Sequence, residues 1–309
     1  MQTMEHGASY LQLSEQELAE RVRRAYDLMR PSCRLCPREC GAERLEGEAG
    51  ACGADHRLLI SSSNLHHGEE PPISGWRGSG TLFLTHCSLS CLYCQNYPIS
   101  QLGHGVETEV EELAGMMIRL QELGAHNINW VTPTHEAAHL LDGLHRARRS
   151  GLEIPIVYNS SGYDSLDVLK LLNGVVDIYL PDMRYADGGI SMKYSGVPDY
   201  PEVNRKAILE MHRQAGDLRL NSDGIAVRGL LIRHLVLPLD MAGTEKVLRF
   251  ISKKVSPETS ISLMSQYFPA HKAPDMEDVI SRRITPEEYD RAKALLKQYG
   301  LTRGWIQEI

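Results

Sequence analysis

Thr81-Leu82-Phe83-Leu84 runs almost directly into Cys87-Ser88-Leu89-Ser90-Cys91-Leu92-Tyr93-Cys94, where three thiols are separated by three and then two residues. A short apolar run ending at cysteines reads as a buried strand that delivers ligands to a loop. One such loop can wrap three corners of an iron–sulfur cube, which leaves the fourth iron without a protein thiolate. The competing readings are a zinc knuckle and three buried thiols without chemistry. Structural zinc takes four protein ligands in paired spacings, and this loop carries no fourth cysteine.

Outward from that strand the pattern alternates. The strand at 80–85 is followed by an amphipathic helix at about 108–123, in which Met116 and Met117 are core filling rather than copper ligands. Further strands at 128–131, 154–158, 176–180, 230–237 and 260–264 alternate with helices at about 135–149, 165–172, 201–215, 243–254 and 286–299. Six strand–helix units in succession predict an α/β fold with a parallel sheet curled into a partial barrel. Upstream lie a helix at 13–29 with Ser14 as its cap, a short strand at 58–63, and a Pro- and Gly-rich stretch, 64–75, read as a loop whose His66, Glu69 and Glu70 can approach the cysteines. The expected division is an N-terminal helix plus Cys-rich segment, 1–77, and a barrel, 78–309.

In parallel barrels the reactive groups sit at the carboxyl ends of strands. Those positions hold Cys87 to Cys94, Thr132-Pro133-Thr134-His135, Asn159-Ser160, Asp182-Met183-Arg184, Arg233-His234 and Gln266-Tyr267. A charged residue that ends an apolar strand, as Asp182 and Arg233 do, is hard to assign to chance.

A chain of 309 residues, 42% hydrophobic, can bury a full core. A net charge of −7 and a pI near 6.0 leave no basic footprint for nucleic acid or an anionic membrane surface. The opening residues, 1–7, lack a basic segment followed by an apolar one, and no later stretch is apolar for long enough to span a bilayer, so a cytoplasmic chain is expected. The 7 cysteines fall into the triplet and a group of four, Cys33, Cys36, Cys40 and Cys52, a partition that suits metal coordination better than disulfides. The group of four is expected to bind zinc or a second iron–sulfur cluster.

The triplet, with Tyr93 before its last cysteine, resembles the signature of the radical S-adenosylmethionine superfamily. The remaining chain looks like the branch similar to pyruvate formate-lyase activating enzymes. The marks are Cys33-x-x-Cys36-Pro37-Arg38-x-Cys40-Gly41, Gly68-Glu69-Glu70-Pro71, the run Asn129 to His135, Tyr158 to Tyr163, Asp177 to Asp182, and Arg233 to Pro238. The resemblance implies a (β/α)6 TIM-type partial barrel and a [4Fe-4S] cluster on Cys87, Cys91 and Cys94. It also implies S-adenosylmethionine bound at the open iron and split to a 5′-deoxyadenosyl radical, with an electron donor such as a flavodoxin or ferredoxin. It places Tyr93, Thr132, Thr134, His135, Asn159, Ser160, Asp182 and Arg184 around the S-adenosylmethionine, and Arg233 joins them by its position at a neighbouring strand end. Three departures stand out: Thr132-Pro133-Thr134-His135 replaces a Gly-Gly-Glu motif, Arg184 replaces the usual lysine, and Leu239 stands where glycine is usual.

Two function classes follow. One is an enzyme that generates a substrate radical, acting on a glycyl-radical protein or on a small molecule; the other is a non-catalytic iron–sulfur electron carrier. Polar residues at nearly every strand end favour the enzyme, since a carrier needs no such pocket. Residues 181–201, with Tyr185, Gly188, Gly189, Tyr194 and Tyr200, read as a long loop and a docking surface for a protein substrate.

Overall fold

The computed structural model describes residues 7–308; the opening run, 1–6, read above as lacking a leader, lies outside the described residues. The strands are β1 (Leu59–His66), β2 (Ser79–Leu84), β3 (Val106–Glu107), β4 (Ile128–Val131), β5 (Ile156–Ser160), β6 (Ile178–Pro181), β7 (Arg219–Leu220), β8 (Ala226–Leu235), β9 (Ser260–Met264) and β10 (Gly304–Ile306). They form one sheet in the order β10-β9-β8-β6-β5-β4-β2-β1-β3, with β7 paired to β8, and the sheet does not close. The six strands expected from the apolar runs are the parallel ones, β2, β4, β5, β6, β8 and β9, and β10 adds a parallel edge. The short strand expected at 58–63 extends to His66 and pairs antiparallel with β2, so the sheet runs across the expected division at 77/78.

The helices are α1 (Glu15–Asp27), α2 (Pro71–Ser74), α3 (Tyr97–Ser100), α4 (Val110–Glu122), α5 (Ala137–Arg149), α6 (Leu166–Leu172), α7 (Gly188–Ser195), α8 (Tyr200–Ala215), α9 (Thr244–Phe250) and α10 (Pro286–Gln298). Ser14 caps α1 in a capping box with Glu17, as the sequence predicts. Two stretches read as loops are corrected. Residues 64–75 contain the end of β1 and α2, and residues 181–201 contain α7. The signal for α7 was the cap: Asp187 accepts the Ile190 N–H at 3.0 Å. The periodicity test missed it because its buried residues are Ser191, Tyr194 and Ser195 rather than an apolar stripe. Among the described residues no helix is long and apolar enough to cross a membrane.

Strands β5, β6 and β9 are buried along their whole length, as parallel strands covered on both faces must be. Their outer face joins the main core beneath the helices, while Val157, Ile178, Leu180 and Leu231 form a separate apolar layer on the concave face. Ile73 of α2 completes that inner layer. Side chains alternate faces along a strand, so the residues two positions beyond Val157, Leu180 and Leu231 also face inward, one layer nearer the carboxyl end. Those residues are Asn159, Asp182 and Arg233.

Candidate active site

The inward-facing polar layer is a continuous hydrogen-bonded array. Arg233 Nε donates to Asp182 Oδ1 at 2.9 Å, its Nη2 to Asn159 Oδ1 at 2.7 Å, and its Nη1 to Glu69 Oε2 at 3.4 Å. Arg184 donates to Asp182 Oδ2 through Nε (3.0 Å) and Nη2 (2.6 Å), leaving Nη1 to donate to Cys91 Sγ at 3.3 Å. Lysine has no rigid fork to serve a carboxylate and a sulfur together, so the arginine at this position has a structural use. Burial pushes the Asp182 carboxyl up, but Arg233 and Arg184 outweigh it and hold the group below the usual carboxylate range. The Asp182 backbone is fixed as well, its carbonyl accepting from Asn204 Nδ2 at 2.9 Å and Tyr200 Oη at 3.1 Å.

The cysteine loop lies at the carboxyl end of β2, clasped by α7 and by the chain after β9. Leu92 N–H donates to the Tyr194 carbonyl (2.8 Å), Ser90 N–H to the Ser195 carbonyl (3.2 Å), and Lys272 N–H to the Leu92 carbonyl (2.9 Å). Gly196, in the left-handed region at φ 72°, ends α7 and turns the chain away at that contact. Arg38 of the Cys-rich segment reaches the loop through the Ser88 carbonyl. Each of the three sulfurs has a polar neighbour: Leu89 N–H donates to Cys87 Sγ (3.4 Å), Ser195 Oγ to Cys91 Sγ (3.0 Å), and Ser100 Oγ lies 3.1 Å from Cys94 Sγ. All seven cysteines are free thiols, and burial, with Cys91 nearby, pushes Cys87 up to about 12. Tyr93 is buried, its hydroxyl bonded to Tyr185, which lies 2.8 Å from Ser195 Oγ. A cleft of about 510 Å³, lined in part by Gln266, Tyr267 and Arg283, opens beside it, where Tyr267 packs edge-on against Tyr93 at 5.6 Å.

Other expected residues are placed elsewhere. Ser160 follows Asn159 and faces outward, donating to Asp164 Oδ2 (2.6 Å), and Thr134 donates to Asp164 Oδ1 (2.7 Å). His135 is buried with Nε2 against the Thr85 carbonyl at 2.8 Å, and burial holds its imidazole down to about 4. None of the three joins the array: Ser160 cannot face inward beside Asn159 in one strand, and Thr134 and His135 lie in a helical turn beyond β4. Thr132, at φ 60°, sits at the end of β4 and donates its N–H to the Asn159 carbonyl at 2.9 Å. Sequence reasoning left out Asn129, Tyr185 and Ser195 from the site and gave Glu69 only a place near the cysteines. Asn129 carried the same signal as Asn159, an amide inside an apolar strand.

Of the four N-terminal thiols, Cys33 and Cys52 lie beside buried Arg44. Cys40 and Cys52 sulfurs each lie 3.4 Å from where a Cβ on Gly50 would stand, and Cys36 lies in the field of the other three. Among the described residues, however, no three His, Cys, Asp or Glu side chains converge on a single-ion site. Neither of the two groups expected there, zinc or a second iron–sulfur cluster, therefore finds support in this arrangement.

No protein-family model matches the chain. Among the solved structures that resemble it are two at 11% identity. One is TYW1 with a lysine-pyruvate adduct bound, with a TM-score of 0.42 over 70% of this chain and 73% of that one. The other is HydG, a maturase of the [FeFe]-hydrogenase, with a TM-score of 0.49 over 97% of this chain and 66% of that one. An uncharacterized protein of Methanocaldococcus jannaschii is 32% identical over 281 residues, which is 87% of this chain and 75% of that protein. With that identity over most of both sequences, the chain belongs to the family of the Methanocaldococcus jannaschii protein.

Proposed function

We propose that the chain is a radical S-adenosylmethionine enzyme. The observation that carries this reading is the continuity of Cys91, Arg184, Asp182 and Arg233, which joins the cysteine loop to a charged array at the strand ends. A carrier of electrons has no use for such an array; a pocket that orients an amino-acid-bearing cofactor does.

The residues fit a [4Fe-4S] cluster. Three free thiols share one loop, and their sulfurs have polar neighbours that stabilise thiolates. The elevated Cys87 thiol belongs to the bare sulfurs and is inverted by a bound cation. When bound, the reduced cluster supplies the electron that splits S-adenosylmethionine to methionine and a 5′-deoxyadenosyl radical, which abstracts hydrogen from the substrate.

The chain's own residues do the rest. Ser195 and Arg184 offset charge on Cys91, and Asp182 fixes the Arg184 fork and the Arg233 fork relative to each other. Tyr93, Tyr185 and Tyr267 wall the loop on one side and exclude water.

The test is anaerobic reconstitution followed by dithionite, S-adenosylmethionine and chromatography of 5′-deoxyadenosine. Wild type is expected to form it, Asp182→Asn to form about tenfold less with iron retained, and Cys91→Ala to form none. Wild type that holds iron but makes no 5′-deoxyadenosine would return the chain to the carrier class.

A further inference from the structure

The concave face of the sheet is filled from its open side by α2 and the turn before it. Asn127 Nδ2 donates to the Ile73 carbonyl (2.8 Å), Ser74 Oγ accepts the Glu69 N–H (3.1 Å), and the Glu70 carbonyl accepts the N–H groups of Ile73 (2.8 Å) and Ser74 (3.1 Å). With Ile73 locked in the apolar layer, Glu69 and Glu70 are delivered to the polar layer above it.

The hydrogen bonds there do not balance. Glu69 Oε1 accepts from Asn129 Nδ2 and Asn159 Nδ2, both at 3.1 Å. That contact fixes the orientation of the Asn129 amide and leaves its Oδ1 with no donor, although Asn129 is fully buried. Glu70, 8% exposed and beside Arg233 and Glu69, likewise keeps a buried Oε2 with no donor. Buried acceptors without donors are costly and rare. Burial pushes the Glu69 carboxyl up, with Arg233 opposing it. With all three carboxyls ionised, Glu69, Glu70 and Asp182 set three negative charges against two positive from Arg184 and Arg233, an excess of one negative, with His66 the other titratable group facing Glu69.

We propose that this recess binds an N–H-bearing cationic head group of the substrate, a primary ammonium or a guanidinium, which donates to Glu70 Oε2 and Asn129 Oδ1. A trapped water would satisfy the acceptors but leave the excess charge. The assignment of this group to the substrate rests on the radical reaction proposed above, whereas the binding itself does not.

The test is calorimetric titration of the full-length reconstituted protein with n-butylammonium and n-butylguanidinium, against tetramethylammonium, which has the charge but no N–H, and against potassium and sodium chloride. Saturable binding of at least one N–H probe is expected, about tenfold or more tighter than tetramethylammonium. Glu70→Gln should weaken it about tenfold or more while melting, ligand-free, at or above the wild-type temperature, because it removes the excess charge. No saturable binding, equal binding of tetramethylammonium, displacement of the probe by potassium or sodium at matched concentration, or unchanged binding by Glu70→Gln would each overturn the inference. Formation of 5′-deoxyadenosine is measured on the same samples. Probe binding without it refutes only the radical reaction; its formation without probe binding refutes only the recess.

Discussion

Replacing Arg44 with methionine should be among the most damaging single changes outside the cysteine loop. The guanidinium is fully buried and splits its donors three ways: Nε to the Asp55 carbonyl (2.9 Å), Nη1 to the His135 carbonyl (2.6 Å) and Nη2 to Glu136 Oε1 (2.9 Å). Burial pushes the Glu136 carboxyl up, but Arg44 and His139 override it and bring the group down to about 2. Without Arg44 that buried carboxylate keeps His139, at 2.6 Å, and the His135 ring, at 3.7 Å. Removing one partner of a buried pair costs about 3–5 kcal/mol, against a total stability of about 5–15 kcal/mol for a domain. Urea unfolding followed by far-UV circular dichroism should show the midpoint falling by about 1–2 M. The cause is testable by rescue: Arg44→Met with Glu136→Gln should be more stable than Arg44→Met alone, because the stranded charge is gone. A single variant within about 1 kcal/mol of wild type, or a double variant no better than the single, would refute the reasoning. The consequence reaches the site, since Arg44 is the pin that holds the Cys-rich segment to the end of β4.

Two further outcomes are expected. His135 is held down to about 4 from an ordinary 6.5, so the unfolded chain takes up a proton first as pH falls, and stability is lost between pH 6.5 and 4. The full loss is about 3 kcal/mol at 1.36 kcal/mol per unit, and urea midpoints of wild type and His135→Gln across that window should diverge in slope; parallel profiles would remove His135 as the source. Leu239 lies at φ 52°, ψ 31° and is 69% exposed, so Leu239→Gly should raise stability by about 0.5–1 kcal/mol, the left-handed strain relieved exceeding the extra entropy that glycine loses; a lowered midpoint would count against that.

The parallel strands were legible because burial on both faces leaves an apolar run that needs no partner to be recognised. Strands β4 and β9 take the bounds the sequence predicts. Strands β3, β7 and β10 were not legible: they are two or three residues long, mostly exposed, and exist only through the register of a neighbour. The departure at Leu239 shows a different limit. The sequence flags a missing glycine, but only the backbone shows that the left-handed turn is kept, with the Leu239 N–H donating to Glu288 Oε1 at 2.8 Å.

The site divides along the same physical line. Asn159, Asp182 and Arg233 could be singled out because a polar residue ending an apolar strand violates the local pattern, and the period of two explains why their neighbours Ser160 and His234 were wrongly grouped with them. His234 turns outward to the Met183 carbonyl (2.7 Å) and Thr244 Oγ1 (3.0 Å), as Ser160 turns to Asp164. Had the period been applied to the strand ends, it would have removed Ser160 and added Asn129, which stands two residues before Val131 on the inward face of β4 and donates to the same Glu69 oxygen as Asn159. Glu69 itself could not be found that way, since nothing in a Gly-Glu-Glu-Pro turn tells a solvated carboxylate from one inserted beneath an arginine. What decides between them is Ile73: an apolar residue four positions on must be buried, the concave face of an unclosed sheet is where it can be buried, and the carboxylates travel with it.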